Sequence, residues 1–260
     1  LAAKTLRLEE ADVNIVLLHG QISESTAQDS ASTETIRLAD YAHQGIDYLA
    51  LGHVHQYQEG SLDGRGSWCY PGCLEGRGFD ECTQHGFVLL DVDETTHQIR
   101  RQLVDISQRH LWTVPLEVQG LGSSMAIVRR ARALLSLLSG TPSADPEIAE
   151  IPAERVEAIL QAGAGVRMRP QDLVKLELRG ALSMDAELNL DFIRTQLAPM
   201  FYYLRVVDET RRFIDPSMYQ HDKSLKGAFV HSVEADATLD EETQAAVIEA
   251  GLRLLRGEEL

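Results

Sequence analysis

The feature that most constrains this chain is a short apolar run at residues 48–51, YLAL, followed at once by the motif Gly52-His53-Val54-His55. A run of this length predicts a buried strand. Imidazole groups are costly to bury without partners, so two of them at the end of a core strand indicate a metal site. Gly-His-x-His is a short pattern, however, and histidines that cap a strand or bind backbone carbonyls fit it equally well.

A second apolar run, at residues 13–18, has the same layout and leads into His19. Residues 21–33 are polar and predict a loop, and residues 34–43 predict a helix that ends near Gly45. Strand, helix and strand in this order predict a βαβ unit with parallel strands. Side chains that follow the strands of such a sheet collect at its carboxyl-terminal edge, so we expect His19 to lie beside the Gly-His-x-His motif.

The three histidines form the candidate metal site. Because His53 and His55 lie two residues apart on an extended segment, we expect their rings to point to opposite sides. They would then serve two neighbouring ions rather than chelate one. His19, from the adjacent strand, would join one of these ions. Imidazole is a suitable ligand for zinc, manganese and iron.

The rest of the first half predicts further strands. Residues 87–92 and 99–106 have the pattern of a hairpin, and residues 111–118 predict another strand. Gly120 and Gly122 then break the pattern and indicate a domain junction. We therefore expect three regions: an α/β region at 1–120, an α+β region at 121–218 and a helical tail at 219–260.

The second half mixes helices and strands. Apolar residues recur at helical spacing in four segments, and two segments have strand character. The predicted helices are residues 123–138, 152–162, 190–197 and 240–255. The predicted strands are residues 173–178 and 202–207.

Charge and cysteine content narrow the class of protein. The net charge is -16, which opposes non-specific binding to phosphate backbones. Cys69, Cys73 and Cys82 are an odd number, which argues against a secreted disulfide framework and fits a reducing compartment. No run reaches the about 20 apolar residues that a membrane span needs. We expect a soluble, cytoplasmic protein, and the absence of Met at position 1 suggests that a segment precedes Leu1.

Three blocks in a fixed order resemble the later part of the calcineurin-like metallophosphoesterases. They are LLHG at 17–20, DYLALGHVH at 47–55, and YPGC at 70–73 with GRGFDE at 76–81. Within that superfamily the chain is most similar to the DNA-repair exonuclease branch, the SbcD-type nuclease subunits. The resemblance covers residues 13–105.

The resemblance implies an architecture and a chemistry. The chain would be part of a four-layered α/β sandwich, followed by a smaller α+β capping domain and a C-terminal helix. Two divalent ions, usually manganese, would assist in-line hydrolysis of a phosphodiester. By position, His19 and His53 resemble ligands of the second ion and His55 a ligand of the first.

The chain also departs from the family pattern. The earlier motifs Asp-x-His, Gly-Asp and Gly-Asn-His, which supply the bridging aspartate and the histidine that assists the leaving group, do not occur in it. Cys73 stands where the family usually has serine. We therefore expect this chain to be the C-terminal portion of a longer nuclease subunit that acts in double-strand-break repair. We also expect the chain to be inactive by itself.

Two other functions fit the same sequence. A small-substrate phosphoesterase agrees with the acidic charge, and a non-catalytic, partner-binding module would carry vestigial histidines. Besides DNA, the candidate partners are a coiled-coil ATPase subunit, contacted by the closing helix, and a second copy of the chain. Cys69, Cys73 and Cys82 with His85 are an alternative zinc site, although their spacing matches no common zinc motif.

Overall fold

The computed structural model describes residues 8–23, 35–141, 145–163, 165–183, 186–213, 219 and 222–255. The strands are β1 Ile15–His19, β2 Gln21–Ile22, β3 Thr35–Ile36, β4 Tyr48–Gly52, β5 Gln58–Ser61, β6 Ser67–Tyr70, β7 Gly86–Asp93, β8 Gln98–Asp105, β9 Leu111–Glu117, β10 Leu173–Ser183 and β11 Tyr203–Phe213. The helices are α1 Ser124–Ser139, α2 Ala153–Ala162, α3 Leu190–Leu197, α4 Leu225–Glu234 and α5 Glu241–Leu254. The predicted mixed α/β fold is confirmed.

The strand that leads into the histidine motif lies inside a four-stranded sheet of order β1-β4-β6-β5. β1 and β6 both pair with β4 in parallel, and β5 forms the edge strand, which is antiparallel to β6. One face of this sheet covers a core that includes Leu49, Leu51 and Tyr70. The predicted parallel pairing of the first two apolar runs is confirmed, with His19 opposite Gly52.

The prediction of a helix at residues 34–43 is wrong for the part of this range that the structure describes. β3 pairs with β2 in parallel, and only a single 3-10 turn, Leu38–Asp40, follows it. His43 has a φ of 60°, so a right-handed helix cannot pass through it. Ile36 and Tyr41 are buried in the core below the sheet, and this packing outweighs the local helical pattern. The predicted loop at 21–33 lies mostly outside the described residues.

The predicted hairpin is confirmed: β7 and β8 pair in antiparallel, and the chain turns between Asp93 and Gln98. The sequence pattern did not predict β5 and β6. It also did not indicate α4. No helix among the described residues is both long and apolar enough to cross a membrane.

A second sheet, of order β11-β10-β9, is parallel throughout and carries the larger core. β9 belongs to this sheet, so the change from one sheet system to the next falls between β8 and β9. The predicted domain boundary at residue 120 stays a prediction. Helices α1 and α3 pack on one face of the sheet, where Leu134, Leu176 and Ile193 are almost fully buried.

Helix boundaries follow their capping residues. Ser123 accepts a hydrogen bond from the amide of Ala126, and Gly140 ends α1 with a φ of 66°. Asp240 accepts one from the amide of Thr243 at the start of α5. The apolar face of α5 is buried against α4 in a small core of its own.

Asp47 ties the amino-terminal end of the first sheet together. Its side chain is 1% exposed and accepts hydrogen bonds from the Asn14 amide at 2.8 Å and from the Arg65 guanidinium at 2.7 and 2.8 Å. Burial raises the pKa of this carboxyl, but the hydrogen bonds from Arg65 and Asn14 outweigh it and the net pKa is lowered. The ionised form of Asp47 therefore stabilises the fold.

Core packing of α1 gives a first prediction. Leu134→Ala, at a side chain that is 1% exposed, is expected to lower the free energy of unfolding by about 2–5 kcal/mol, because a cavity remains. The control is Met125→Ala on the same helix, where the side chain is 51% exposed and the expected change is within about 0.5 kcal/mol. Urea denaturation measures both, and equal losses would contradict the assigned core.

The Asp47 network gives a second prediction. Because its folded pKa is lowered, Asp47 contributes stability above the ordinary value of about 3.9, and this contribution is lost as pH falls through the folded pKa. Unfolding measured from about pH 5 to about pH 2 should therefore show a steeper loss in the wild type than in Asp47→Asn. Parallel pH profiles would exclude this role.

Candidate metal centre

The ends of β1 and β4 bring two of the three predicted histidines together. Because these strands are parallel and His19 lies opposite Gly52, the ring of His53 follows directly beside the ring of His19. The ring centroids are 5.4 Å apart and the planes are nearly perpendicular, at 86°. Two imidazoles thus meet at the carboxyl-terminal edge of the sheet, as the strand pattern predicts.

Gly52 provides the space for this meeting. A Cβ atom at position 52 would lie 2.9 Å from Nδ1 of His19, which is closer than real Cβ contacts. The missing side chain therefore lets the His19 ring lie against the strand end.

His53 has a φ of 113°, which is outside the ordinary region for a residue with a side chain. In a regular strand residues two apart lie on the same face, so strand alternation would not separate His53 from His55. The unusual backbone at His53 ends the strand and places the two rings in different surroundings. Our expectation that strand geometry alone would separate them was wrong in its reason.

His55 lies among residues of the following loop. Its Nδ1 is 2.7 Å from Oε1 of Glu81, and the guanidinium of Arg77 lies against both ring nitrogens. The side chain of His55 is 44% exposed and that of Glu81 is 16% exposed. Glu81 also accepts a hydrogen bond from the Arg77 amide at 2.8 Å. The hydrogen bond with His55, followed by that with the Arg77 amide, lowers the pKa of Glu81, so this carboxyl is held ionised.

Cys73 lies on the other side of Glu81. Its Sγ is 3.8 Å from Oε2 of Glu81 and 3.4 Å from Nδ1 of His85. His85 is 1% exposed, and its Nε2 is 2.8 Å from the carbonyl oxygen of Glu81. A carbonyl only accepts, so in the neutral ring Nε2 carries the proton and Nδ1 presents its lone pair to the thiol. Burial, followed by the charge of Glu81, raises the pKa of Cys73.

Backbone contacts fix this loop to the histidine motif. The amide of Cys73 donates to the carbonyl of His55 at 3.1 Å, and the carbonyl of Cys73 accepts from Gly86 at 3.1 Å. Gly72 has a φ of 82°, and a Cβ there would lie 2.8 Å from the carbonyl oxygen of His55. Glycine is therefore required for the loop to approach His55 this closely.

One group of three donors emerges from the described residues: His55, Cys73 and Glu81, whose ligand atoms all lie within 4.8 Å of one another. The sequence singled out His55 for metal binding and gave Glu81 no role. Chain order could not have shown this cluster, because it requires the loop to fold back. His19 and His53 have no third His, Cys, Asp or Glu donor within the same limit in the part of the chain that the structure describes.

The alternative zinc site of three cysteines and His85 is not formed. Only Cys73 contacts His85. Cys69 is fully buried in β6, and Cys82 bonds to the carbonyl of Phe79 and the hydroxyl of Thr113. All three cysteines are free thiols. The strand and loop backbones hold these thiols at separate places, so the prediction of a shared site was wrong.

Comparison with known proteins supports a coarse assignment. A stretch of 91 residues is 34% identical to the uncharacterized metallophosphoesterase YhaO of Bacillus subtilis (strain 168). The match covers 35% of this chain and 22% of the length of that relative. No family model matches the chain. The similarity supports the resemblance to metallophosphoesterases in general, and it does not assign the chain to the exonuclease branch.

The close approach of Gly52 and His19 gives a third prediction. Gly52→Ala should displace the His19 imidazole, because the new Cβ would lie 2.9 Å from Nδ1. Chemical shifts of the His19 ring protons, measured by NMR, should change, whereas Gly64→Ala, at a site with nothing within 4 Å, should leave them unaltered. Unchanged His19 shifts in Gly52→Ala would refute the contact.

Proposed function

We propose that this chain is part of a two-metal-ion phosphodiesterase and that the complete protein is a DNA exonuclease or endonuclease subunit of double-strand-break repair. The observation that carries the proposal is the meeting of His19 and His53 at adjacent parallel strand ends, with His55 two residues further on. The similarity of 91 residues to a metallophosphoesterase supports the same chemistry.

The described residues suit the roles that the resemblance implies. His19 and His53 present two imidazoles on one side of the strand ends, which agrees with two ligands for one ion. His55 lies apart from them, which agrees with a ligand for a neighbouring ion. Two divalent ions, for which manganese is our proposal, supply charge neutralisation on the attacking and leaving oxygens. The three histidines would hold and orient them.

The centre is incomplete in this chain. A two-ion hydrolase needs a carboxylate that bridges the ions, and the motif that would supply it does not occur in the sequence. The first sheet also has an open apolar face beside His19, with a groove of about 630 Å³ that Leu17 and Phe87 line. Leu17 is 75% exposed and Phe87 41% exposed. Exposed apolar surface of this kind supports a further layer of protein over the sheet.

The substrate is the finer part of the proposal. The net charge of -16 opposes broad attraction to DNA, so a small phosphodiester is the alternative substrate on the same scaffold. A coiled-coil ATPase subunit is the proposed partner, reached through the closing helix. Ile248 and Leu252 of that helix are buried against α4, whereas Val247 and Leu254 are exposed.

Activity of the 260-residue chain tests the proposal directly. With manganese, we expect no hydrolysis of single-stranded DNA, duplex ends or bis(p-nitrophenyl) phosphate above background, because the bridging carboxylate is missing. The protein from the complete reading frame should hydrolyse DNA, and His53→Asn in it should lower the rate by more than about 100-fold, since loss of outer-shell partners alone costs about 10–100-fold.

The matched control is His43→Asn. His43 has a side chain that is 86% exposed, and asparagine tolerates its φ of 60°, so the rate should stay unchanged. Robust manganese-dependent activity of the 260-residue chain would overturn the incomplete-centre hypothesis. Preference of the complete protein for the simple diester over DNA would assign the small-substrate alternative.

A further inference from the structure

We propose that His55, Cys73 and Glu81 form a binding site for one thiophilic divalent cation of the zinc type, built entirely by residues of this chain. Each residue contributes a different donor: an imidazole nitrogen, a thiolate sulfur and a carboxylate oxygen. One ligand atom of each lies within 4.8 Å of the others. The site lies in the loop after the histidine motif, separate from the meeting point of His19 and His53.

The separations of the donors fit a single ion. Bonds of about 2.0–2.3 Å around a tetrahedral zinc place its ligand atoms about 3.3–3.8 Å apart. Sγ of Cys73 is already 3.8 Å from Oε2 of Glu81. Nδ1 of His55 is 2.7 Å from Oε1 of the same carboxylate, so small side-chain rotations suffice to admit an ion between them. Three protein ligands leave the fourth position for water, as in zinc sites with an open coordination position.

The surrounding backbone holds the donors in place before an ion arrives. The amide of Cys73 is bonded to the carbonyl of His55, and the amide of Arg77 is bonded to Oε2 of Glu81. His85, which is almost fully buried, contacts both partners: its Nε2 bonds to the carbonyl of Glu81 and its Nδ1 faces Sγ of Cys73. Such supporting contacts orient metal ligands.

Arg77 occupies the place that a cation would take. Its guanidinium lies against both ring nitrogens of His55 and 3.6 Å from Oε1 of Glu81. A guanidinium only donates hydrogen bonds, so Arg77 faces the acceptor groups that an ion would also use, the lone pair of the neutral His55 ring and the carboxylate of Glu81. The side chain of Arg77 is 67% exposed and can rotate into solvent when an ion binds. Arg77 is therefore a competitor for the site, and its removal should tighten binding.

The donor set decides which ion is preferred. Thiolate selects zinc and other soft ions, whereas manganese and magnesium prefer oxygen donors. The assignment of this ion to a hydrolytic centre, as the ion that His55 serves, rests on the proposed function. The binding site itself depends only on the loop geometry of this chain.

Cobalt spectroscopy of the 260-residue chain tests the proposal. Metal-free protein is titrated with Co²⁺ and then with Zn²⁺ as competitor, and a thiolate-to-cobalt charge-transfer band in the near ultraviolet reports a bound cysteine. We expect one equivalent of Co²⁺, displaced by one equivalent of Zn²⁺. Cys73→Ser should abolish the band and weaken binding at least about tenfold. The matched control, Cys82→Ser, removes another partly buried thiol and should retain the band.

Arg77→Gln keeps the test decisive if Cys73→Ser folds poorly. This variant should bind Zn²⁺ several-fold more tightly than the wild type, a gain that misfolding cannot produce. No stoichiometric binding by the wild type, a band that persists in Cys73→Ser, or unchanged affinity in Arg77→Gln would overturn the proposal. Zinc bound by this chain with an inactive complete protein would contradict only the proposed function. An active complete protein without the thiolate band would contradict only this site.

Discussion

The parallel pairing of β1 with β4 is the constraint on which the candidate centre depends. The register places His19 opposite Gly52, and His53 therefore follows beside the His19 ring. A shift of one residue would turn every side chain of β1 to the other face and separate the two imidazoles. Asp47 fixes this register at the opposite end of the strands. It binds Asn14, which directly precedes β1, and Arg65, which lies just before β6.

A second arrangement depends on the first. The loop after β6 folds back because Cys73 donates to the carbonyl of His55, and glycine at position 72 permits this approach. Glu81 then reaches His55, and the candidate soft-ion site results from this return of the chain. The two groups of donors have the near neighbours His53 and His55 among their members, yet one group is made by strand pairing and the other by a loop. They can therefore be altered separately by substitution.

Sequence patterns were most informative where local and tertiary preferences agree. Helix α1 has its Ser123 and Gly140 caps and an apolar face, and the structure gives it nearly the predicted bounds. The helix predicted at 34–43 failed because the short β2–β3 pairing and the burial of Tyr41 are long-range effects that no local pattern contains. The strand β6 was missed for a similar reason, since its partner β4 provides the hydrogen bonds that define it.

The sequence by itself determined the mixed α/β fold, the buried strands and the presence of imidazoles at a strand end, since these follow from residue type and local periodicity. Only the tertiary structure decided which donors meet. His19 and His53 came together through strand register, as expected, but His55 joined Cys73 and Glu81, eighteen and twenty-six positions further along the chain. Contacts at that separation depend on the path of the loop, and the path is set by backbone hydrogen bonds that residue order does not reveal.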